Sequence, residues 1–512
     1  MPDIEDGFDL DRAPRPQVNN VVHTKFRPKN SGDNEKPMIE SDVGWDKIVY
    51  AKTWGCAHNG SDTEIMCGLL SQAGYTLTND SDEANLWLLN SCTVKTPSET
   101  QMDNSVAKAL SLGKRVVVAG CVSQAAPNNA SLKDVSLIGV QQIDQIVYVV
   151  EETLKGNTVR LLSQRRKENL SLDMPKVRKN KFIEILAINS GCLNHCTYCK
   201  TKQARGDLRS FSLEAIVERA KQSFDEGCKE LWLTSEDLGA YGRDIGLVLP
   251  DLLNELVKVI PDGCMMRLGM TNPPYILDYL EELAAILRHP KVYSFLHIPV
   301  QSASDSVLGE MKREYTSQQF CQLVDFMIAN VPGLYLATDF ILAFPTETVE
   351  DFEESMAMVE KYRFPSLFIN QYYPRPNTPA SRLKKIDTVE ARRRTAEMSK
   401  LFRGYSRYTE DRIGKIYDVL VTEKAADKEH YVGHNKSYEQ ILIPSERDLL
   451  GERVKVQITE VSKFHMKSRI VDQNDDDLSE NSTMKNKFPI VLAAFVAQIA
   501  VVVYLLLKGY LL

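Results

Sequence analysis

Cys192, Cys196 and Cys199 stand in the stretch SGCLNHCTYCK, a C-x3-C-x2-C pattern. Three thiolates on one loop can hold three irons of a cubane [4Fe–4S] cluster, since each iron takes tetrahedral sulfur ligation. The fourth iron then has no protein ligand and can take a substrate. A structural zinc ion would need a fourth donor, and His195 lies within the same loop. A second set is upstream. Cys56, Cys92 and Cys121 end the stretches TWGC, LNSC and VAGC, each after an apolar run. Taken singly, each is as well explained as a small buried residue. If the apolar runs are strands of a doubly wound parallel sheet, their C-terminal ends share one edge and the three thiols meet there. Cys67, Cys228, Cys264 and Cys321 fall within helix or strand patterns and are read as core filling.

The elements that must position these thiols are legible as alternating strand and helix patterns. From residue 45 to 152, KIVYAKTWG, ANLWLLNSC and KRVVVAGC are strand-like, and NGSDTEIMCGLLSQAGY reads as a capped helix. This rhythm predicts an α/β domain with a parallel sheet and flanking helices. A basic, unpatterned linker spans 153–180. Residues 181–404 repeat strand then helix, with strands in FIEILAINSG, ELWLTSED, MMRLGMTNP, SFLHIPVQSAS, YLATDFILAFP and SLFINQYYPRP. They predict an open (βα)6 barrel whose chemistry lies at the strand C-terminal ends. Asn189, Glu236, Asp237, Asn272, Gln301, Asp339 and Arg375 cluster at those ends. Residues 405–472 turn to short strands and predict a small β-barrel of oligonucleotide-binding type.

The chain has 512 residues and a net charge of -7, with 43% apolar and 26% charged residues. That balance excludes a wholesale polycation; any nucleic-acid contact must be local. Ten cysteines in this length are too sparse for a disulfide scaffold. Residues 1–41 are polar, contain no signal sequence and read as a disordered tail. Residues 473–487 form a polar linker. From Phe488 to Leu507 the chain is nearly uncharged, with Gln498 its one strongly polar residue. That is about the twenty residues needed to cross a bilayer. We expect a single-pass tail anchor with everything upstream in the cytosol, where clustered thiols indicate metal or catalysis.

Taken together, these motifs are recognisable. TWGCAHNGSDTEIM, LNSCTVK, VAGCVSQ, GCLNHCTYCK, LTSEDLGAYGRD, HIPVQSASDSVLGEMKREYT, TDFILAFPTET and GHNKSYEQILI occur in order. Across almost all of residues 45–472 the chain resembles the methylthiotransferases of the radical S-adenosylmethionine (SAM) superfamily. The cysteine loop, with Tyr198 before its last cysteine, is similar to the radical SAM signature, and the last folded unit to a TRAM domain. TWGCAHNGSD and the apolar C-terminal run look like the eukaryotic branch that acts on N6-threonylcarbamoyladenosine (t6A) in tRNA. The resemblance implies two [4Fe–4S] clusters, one on Cys192, Cys196 and Cys199 and an auxiliary one on Cys56, Cys92 and Cys121, together with SAM. It implies sulfur insertion and methylation at C2 of t6A next to the anticodon (position 37), giving the 2-methylthio derivative. An unactivated aromatic C–H offers acid–base chemistry no handle, so a radical is required. Two departures stand out: Ala343, and Pro376-Asn377, occupy places where many members have glycine.

Within this frame Glu236, ending the second barrel strand, is expected to grip the SAM amine. Asp237, Gln301, Arg375 and Tyr198 are further expected SAM-pocket residues, with Asn272 beside them. Buried barrel polars of this kind are as often bonded to one another. Lys463, Lys467 and Arg469, with Phe464 and His465 between, and the linker Arg165 to Lys179, are expected RNA contacts. The anticipated partners are tRNA through its anticodon loop, an electron donor, a sulfur donor and the endoplasmic reticulum membrane, with the chain acting as a monomer. The competing readings are methylthiolation of isopentenyladenosine or of a ribosomal protein, and a membrane-tethered iron–sulfur regulator without catalysis.

Overall fold

The computed structural model describes residues 47–93, 96–163 and 170–471. The expected tail 1–41, the polar linker 473–487 and the apolar run 488–507 lie outside the described residues. Among those described, no helix is long and apolar enough to cross a membrane.

The first unit is a six-stranded parallel sheet. Its spatial order is Thr76–Thr78, Ile48–Thr53, Leu86–Ser91, Arg115–Ala119, Ser136–Ile138, Arg160–Leu161. The strands LWLLNS and RVVVA are apolar runs because both faces of the sheet are covered. Leu86, Leu88, Val117 and Ala119 pack into one core, and the alternate residues Trp87, Leu89, Val116 and Val118 into another. The chain direction reverses across the sheet between Ile48–Thr53 and Leu86–Ser91. That is the topological switch point, where strand ends open a crevice in such folds.

The second unit has six parallel strands in two hydrogen-bonded threes. The first three are Ile183–Ala187, Glu230–Thr234 and Met265–Arg267, and the second are Phe295–His297, Tyr335–Leu342 and Ser366–Gln371. Parallel bridges Met266 to Val292 and Met270 to His297 join them. The barrel is therefore open, with Ile183–Ala187 and Ser366–Gln371 as its edges. The N-terminal helix Ala57–Gln72 covers the first edge: Ser61 Oγ donates to Ile185 O at 3.0 Å.

The third unit is a closed five-stranded barrel in the order Ile416–Lys424, His430–His434, Gln440–Pro444, Met466–Ile470, Arg453–Val461. Its segment GHNKSYEQ docks onto the central barrel. Tyr438 packs among Trp232, Tyr293 and Phe295, and Lys436 Nζ donates to Leu287 O and His289 O at 2.8 Å, closing the helix Leu280–Arg288.

Two sequence expectations are corrected here. The linker 153–180 is not free connecting chain. The helix Ile146–Leu154 runs into it, Arg160–Leu161 is the sixth strand of the first sheet, and Lys176 and Arg178 are buried against Glu184 at 2.8 and 2.6 Å. Their charges serve the fold, so they are not phosphate contacts; Arg165, Arg166 and Lys167 lie outside the described residues. In the basic stretch near the C-terminal end of the small barrel, Lys463 and Phe464 are likewise engaged, whereas Lys467 and Arg469 stay at the surface. Lys463 donates to the carbonyls of Phe402 and Tyr405 and sits 4.1 Å from the Phe402 ring centroid, while Phe464 packs on Phe402. Lys467 pairs with Glu460, and Arg469 bonds Gln457.

Candidate active site

Cys56, Cys92 and Cys121 follow three adjacent strands of the first sheet, and the fold brings them together. The Cys56 thiol is pushed well above its ordinary pKa by burial and then by the nearby Cys92 and Cys121. Two glycines permit the approach. Gly55 has φ +112°, and a Cβ there would stand 2.5 Å from Cys92 Cβ. Gly120 has φ +86°, and its Cβ would stand 2.0 Å from Asn90 Oδ1 and 2.8 Å from Ser91 O. Cys56 is the N-cap of the helix Ala57–Gln72, whose positive end favours anionic sulfur. Burial also lifts the Cys121 thiol to about 12, against the pull of Arg205.

Cys192, Cys196 and Cys199 lie on the loop after the first barrel strand. The loop is pinned from several sides. Cys192 N–H bonds Gly206 O at 3.1 Å, Cys199 N–H bonds Cys196 O at 3.1 Å, and Thr197 N–H bonds Met311 O at 3.0 Å. Burial raises the Cys192 and Cys196 thiols, and at Cys192 the Asp237 carboxylate adds to it. Arg313 counters this at Cys196, its Nη1 standing 3.2 Å from the sulfur.

Both thiol sets suit a multi-iron cluster. Each gathers three sulfurs beside a strand end, and metal binding displaces thiol protons as it forms the site. His195 is exposed, with Lys202 Nζ at 2.9 Å, and does not turn toward the cysteines as a zinc ligand would. Among the described residues no three His, Cys, Asp or Glu side chains gather tightly enough for a single metal ion. A cubane is larger than one ion and takes its ligands further apart. Asn189, fully buried at the end of the first barrel strand, has neither amide atom hydrogen-bonded, and the buried Thr271 Oγ1 is also unbonded. Such atoms at strand ends fit a bound polar ligand such as SAM.

The other expected residues divide. The Glu236 side chain is 7% exposed and already engaged. Gly191 N–H donates to its Oε2 at 2.9 Å, and His58 Nδ1 and Arg205 Nε stand 2.8 and 3.2 Å from its Oε1. Burial works to raise this carboxyl, but His58 and Arg205 hold it below its ordinary value. The carboxylate expected to grip the SAM amine is therefore already paired with His58, Arg205 and the Gly191 N–H. Asp237 is pushed up to about 6 by burial and accepts from Gly239 N–H, Asn272 N–H and Asn272 Nδ2 at 3.1, 3.0 and 2.7 Å. It locks the second strand end to the third. Tyr198 buries its ring among Val307, Met311, Ile341, Phe344 and Tyr372, and its carbonyl accepts from Arg375 Nη1 at 2.9 Å. Gln301 is half-buried at φ +71°, its N–H bonding Asp339 O at 2.8 Å.

Sequence reasoning passed over Arg313, Arg205, His58, Asn59 and Asp62. Arg205 is buried and bonds Asn59 Oδ1 and Asp62 Oδ2, both at 2.7 Å. The available signal was the HNGSD run, which puts His58 and Asp62 one helical turn apart just beyond Cys56.

An open six-stranded barrel with three thiols on its first loop, preceded by a sheet with three more at its switch point, is the build of a two-site radical SAM enzyme. Family profiles agree along the chain: the uncharacterized protein family UPF0004 over residues 48–138, the radical SAM superfamily over 186–359 and the TRAM domain over 410–471. The chain belongs to the threonylcarbamoyladenosine tRNA methylthiotransferase family. It is 56% identical to the member from Drosophila melanogaster over 93% of this chain and 89% of that one. It is 52% identical to the Homo sapiens member, over 92% and 83%. A probable member from Pyrococcus abyssi is 36% identical, over 77% and 93%. Among solved structures, a radical SAM methyltransferase from Kitasatospora setae is a remoter likeness, with TM-score 0.49 and 14% identity over 66% of this chain and 77% of that one.

Proposed function

We infer that the chain is a tRNA methylthiotransferase that converts t6A next to the anticodon to 2-methylthio-t6A. The observation that carries this is the pair of thiol triads, each at the C-terminal edge of a parallel sheet, in a chain whose relatives are named for that reaction. Cys56, Cys92 and Cys121 hold one [4Fe–4S] cluster, and Cys192, Cys196 and Cys199 the other. When bound, the clusters and SAM supply the one-electron chemistry, the hydrogen-abstracting radical and the methylated sulfur. The protein supplies the arrangement. Thr197 and Tyr198 tie the cysteine loop to the Met311 carbonyl and an apolar core, so its thiols keep their places. Asn189, Asn272, Gln301 and Arg375 ring the barrel top where SAM lies. Desolvation by the covering N-terminal unit keeps water from a reactive radical.

The substrate base is a loop nucleotide, the kind that single-strand readers splay out and stack. The small barrel contributes to RNA binding as TRAM and oligonucleotide-binding folds do. An electron donor and a sulfur donor complete the partners, and the chain acts as a monomer. Phe488–Leu507 anchors it in the endoplasmic reticulum membrane with the folded units in the cytosol. The run's length and lack of charge support this. Vesicle flotation of the full chain against residues 1–485 tests the anchor.

The function is tested by anaerobic reconstitution with iron and sulfide, then addition of SAM, reductant and t6A-containing tRNA. Mass spectrometry of the digested nucleosides should show a methylthio gain on t6A that is lost in both Cys92→Ala and Cys196→Ala. 5′-Deoxyadenosine without sulfur gain would leave the barrel chemistry standing and overturn the substrate or the second cluster.

A further inference from the structure

A run of buried polar contacts crosses from one thiol set to the other. It begins beside Cys192, where Gly191 N–H donates to Glu236 Oε2 at 2.9 Å. The other oxygen of Glu236 stands 3.2 Å from Arg205 Nε and 2.8 Å from His58 Nδ1. Arg205 Nη2 then reaches Asp62 Oδ2 and Asn59 Oδ1, each at 2.7 Å. Asn59 Oδ1 in turn accepts from the Cys121 thiol at 3.7 Å. The side chains of His58, Asn59, Asp62, Cys121 and Arg205 are buried, and that of Glu236 is 7% exposed. Arg205 ends the short helix that follows the barrel cysteine loop, whereas His58, Asn59 and Asp62 belong to the first helix of the N-terminal unit. The contacts therefore join two separately folded units where each carries its thiols.

An isolated guanidinium in such a place would cost several kcal/mol of desolvation. The carboxylates of Asp62 and Glu236, at 2.7 and 3.2 Å, offset this. A fixed positive charge beside a cluster stabilises its reduced, more negative form, and a fixed carboxylate does the opposite.

We propose that Arg205 and Glu236 form a buried charge clamp that seats the barrel cysteine loop against the N-terminal thiol triad and sets the reduction potential of the cluster held there. Both are positioning residues: they act through the cysteine loop and the helix that carries His58, Asn59 and Asp62. The proposal rests on the two-cluster reading given above.

The test uses the full chain reconstituted anaerobically, in a Cys192→Ala, Cys196→Ala, Cys199→Ala background that leaves only the N-terminal cluster. Its midpoint is read by electron paramagnetic resonance (EPR) during stepwise reduction with dithionite. Arg205→Met should move the midpoint to more negative potential and Glu236→Gln to more positive potential. The double variant should return toward the starting value, and Arg205→Lys should stay close to it. Shifts of one sign, or none, in variants that keep their iron would overturn the proposal, since mere loosening gives no opposite signs. Should Arg205→Met fail to hold iron, Glu236→Gln decides alone: a positive shift supports the clamp and an unmoved midpoint overturns it. In the chain with all six cysteines, spin coupling between the two reduced clusters should weaken in Arg205→Met; unchanged coupling would overturn the seating. Iron content separates the two readings. About eight irons per unchanged chain sustains two clusters whatever the potentials do, whereas iron near zero removes the cluster reading and the clamp together.

Discussion

At the scale of single residues, backbone conformation explains the cysteine motifs as much as the thiols do. Gly120 places Cys121 by turning the chain through φ +86° hard against Asn90. Gly120→Ala should cost more than about 2 kcal/mol, because left-handed strain adds to a clash with buried neighbours that have no room to yield. Denaturant unfolding measures it, and the variant should also lose the iron of the N-terminal site. Ala343 shows the converse. It sits at φ +57°, a left-handed position that an alanine side chain disfavours, and is one of two places where many family members have glycine. The other, Asn377, lies at φ +67°, which asparagine tolerates better. Ala343→Gly should therefore stabilise the chain by about 1 kcal/mol, strain relief outweighing the entropy gained by the unfolded chain. Calorimetry checks this, and a fall in melting temperature would refute it.

At the scale of elements, one carboxylate gathers three cations at the joint between the first unit and the barrel. Glu184, on the first barrel strand, meets Lys176 at 2.8 Å, Arg178 at 2.6 Å and Arg219 at 3.1 Å, and is fully buried. Burial alone would raise its pKa, but the three cations hold it well below the carboxylate range. A depressed folded value means that the unfolded chain binds protons first. The stabilisation is thus complete above about pH 4.5 and lost as pH falls below it. Glu184→Gln leaves buried cations without their counter-charge and should cost about 3–5 kcal/mol at neutral pH. Its stability should also fall less steeply on acidification than that of the unchanged chain. Equilibrium unfolding at pH 7 and pH 4 gives both results.

At the scale of the whole molecule, three folded units become one body through buried polar and aromatic joints. The small barrel plugs the lower end of the central one with Tyr438, whose ring stacks on His434 at 4.2 Å and meets Tyr293 edge-on at 4.9 Å. Tyr438→Ala should cost about 3–5 kcal/mol and open the joint to limited proteolysis between residues 404 and 416. His434 is half-buried, and desolvation together with Arg267 lowers its pKa to about 3. The unfolded chain therefore takes up this proton first as pH falls. The contribution of His434 to stability is full above about pH 6.5 and declines toward pH 3 at up to ~1.4 kcal/mol per pH unit. His434→Phe should remove that slope from the unfolding free energy measured between pH 7 and pH 5.

The sequence by itself determined the thiols, the order of the units and the chemistry they imply. Cysteines that directly follow apolar runs must stand at strand ends, and parallel sheets align those ends. The periodicity also made legible the six strands of the central barrel and a small β-barrel after it, while the closure of the latter through five strands came from the structure. It could not show which charges are spent internally. Lys176, Arg178 and Lys463 read as solvated or phosphate-seeking cations because composition does not record a buried partner. Glu236 read as a ligand for SAM because its strand-end position is local information, whereas its engagement is not. Arg205 meets Asn59 and Asp62 across 146 and 143 residues of chain. Contacts of that span follow from how two finished units dock, which no local pattern encodes. Only the tertiary structure decided that the two thiol sites are joined by buried charge.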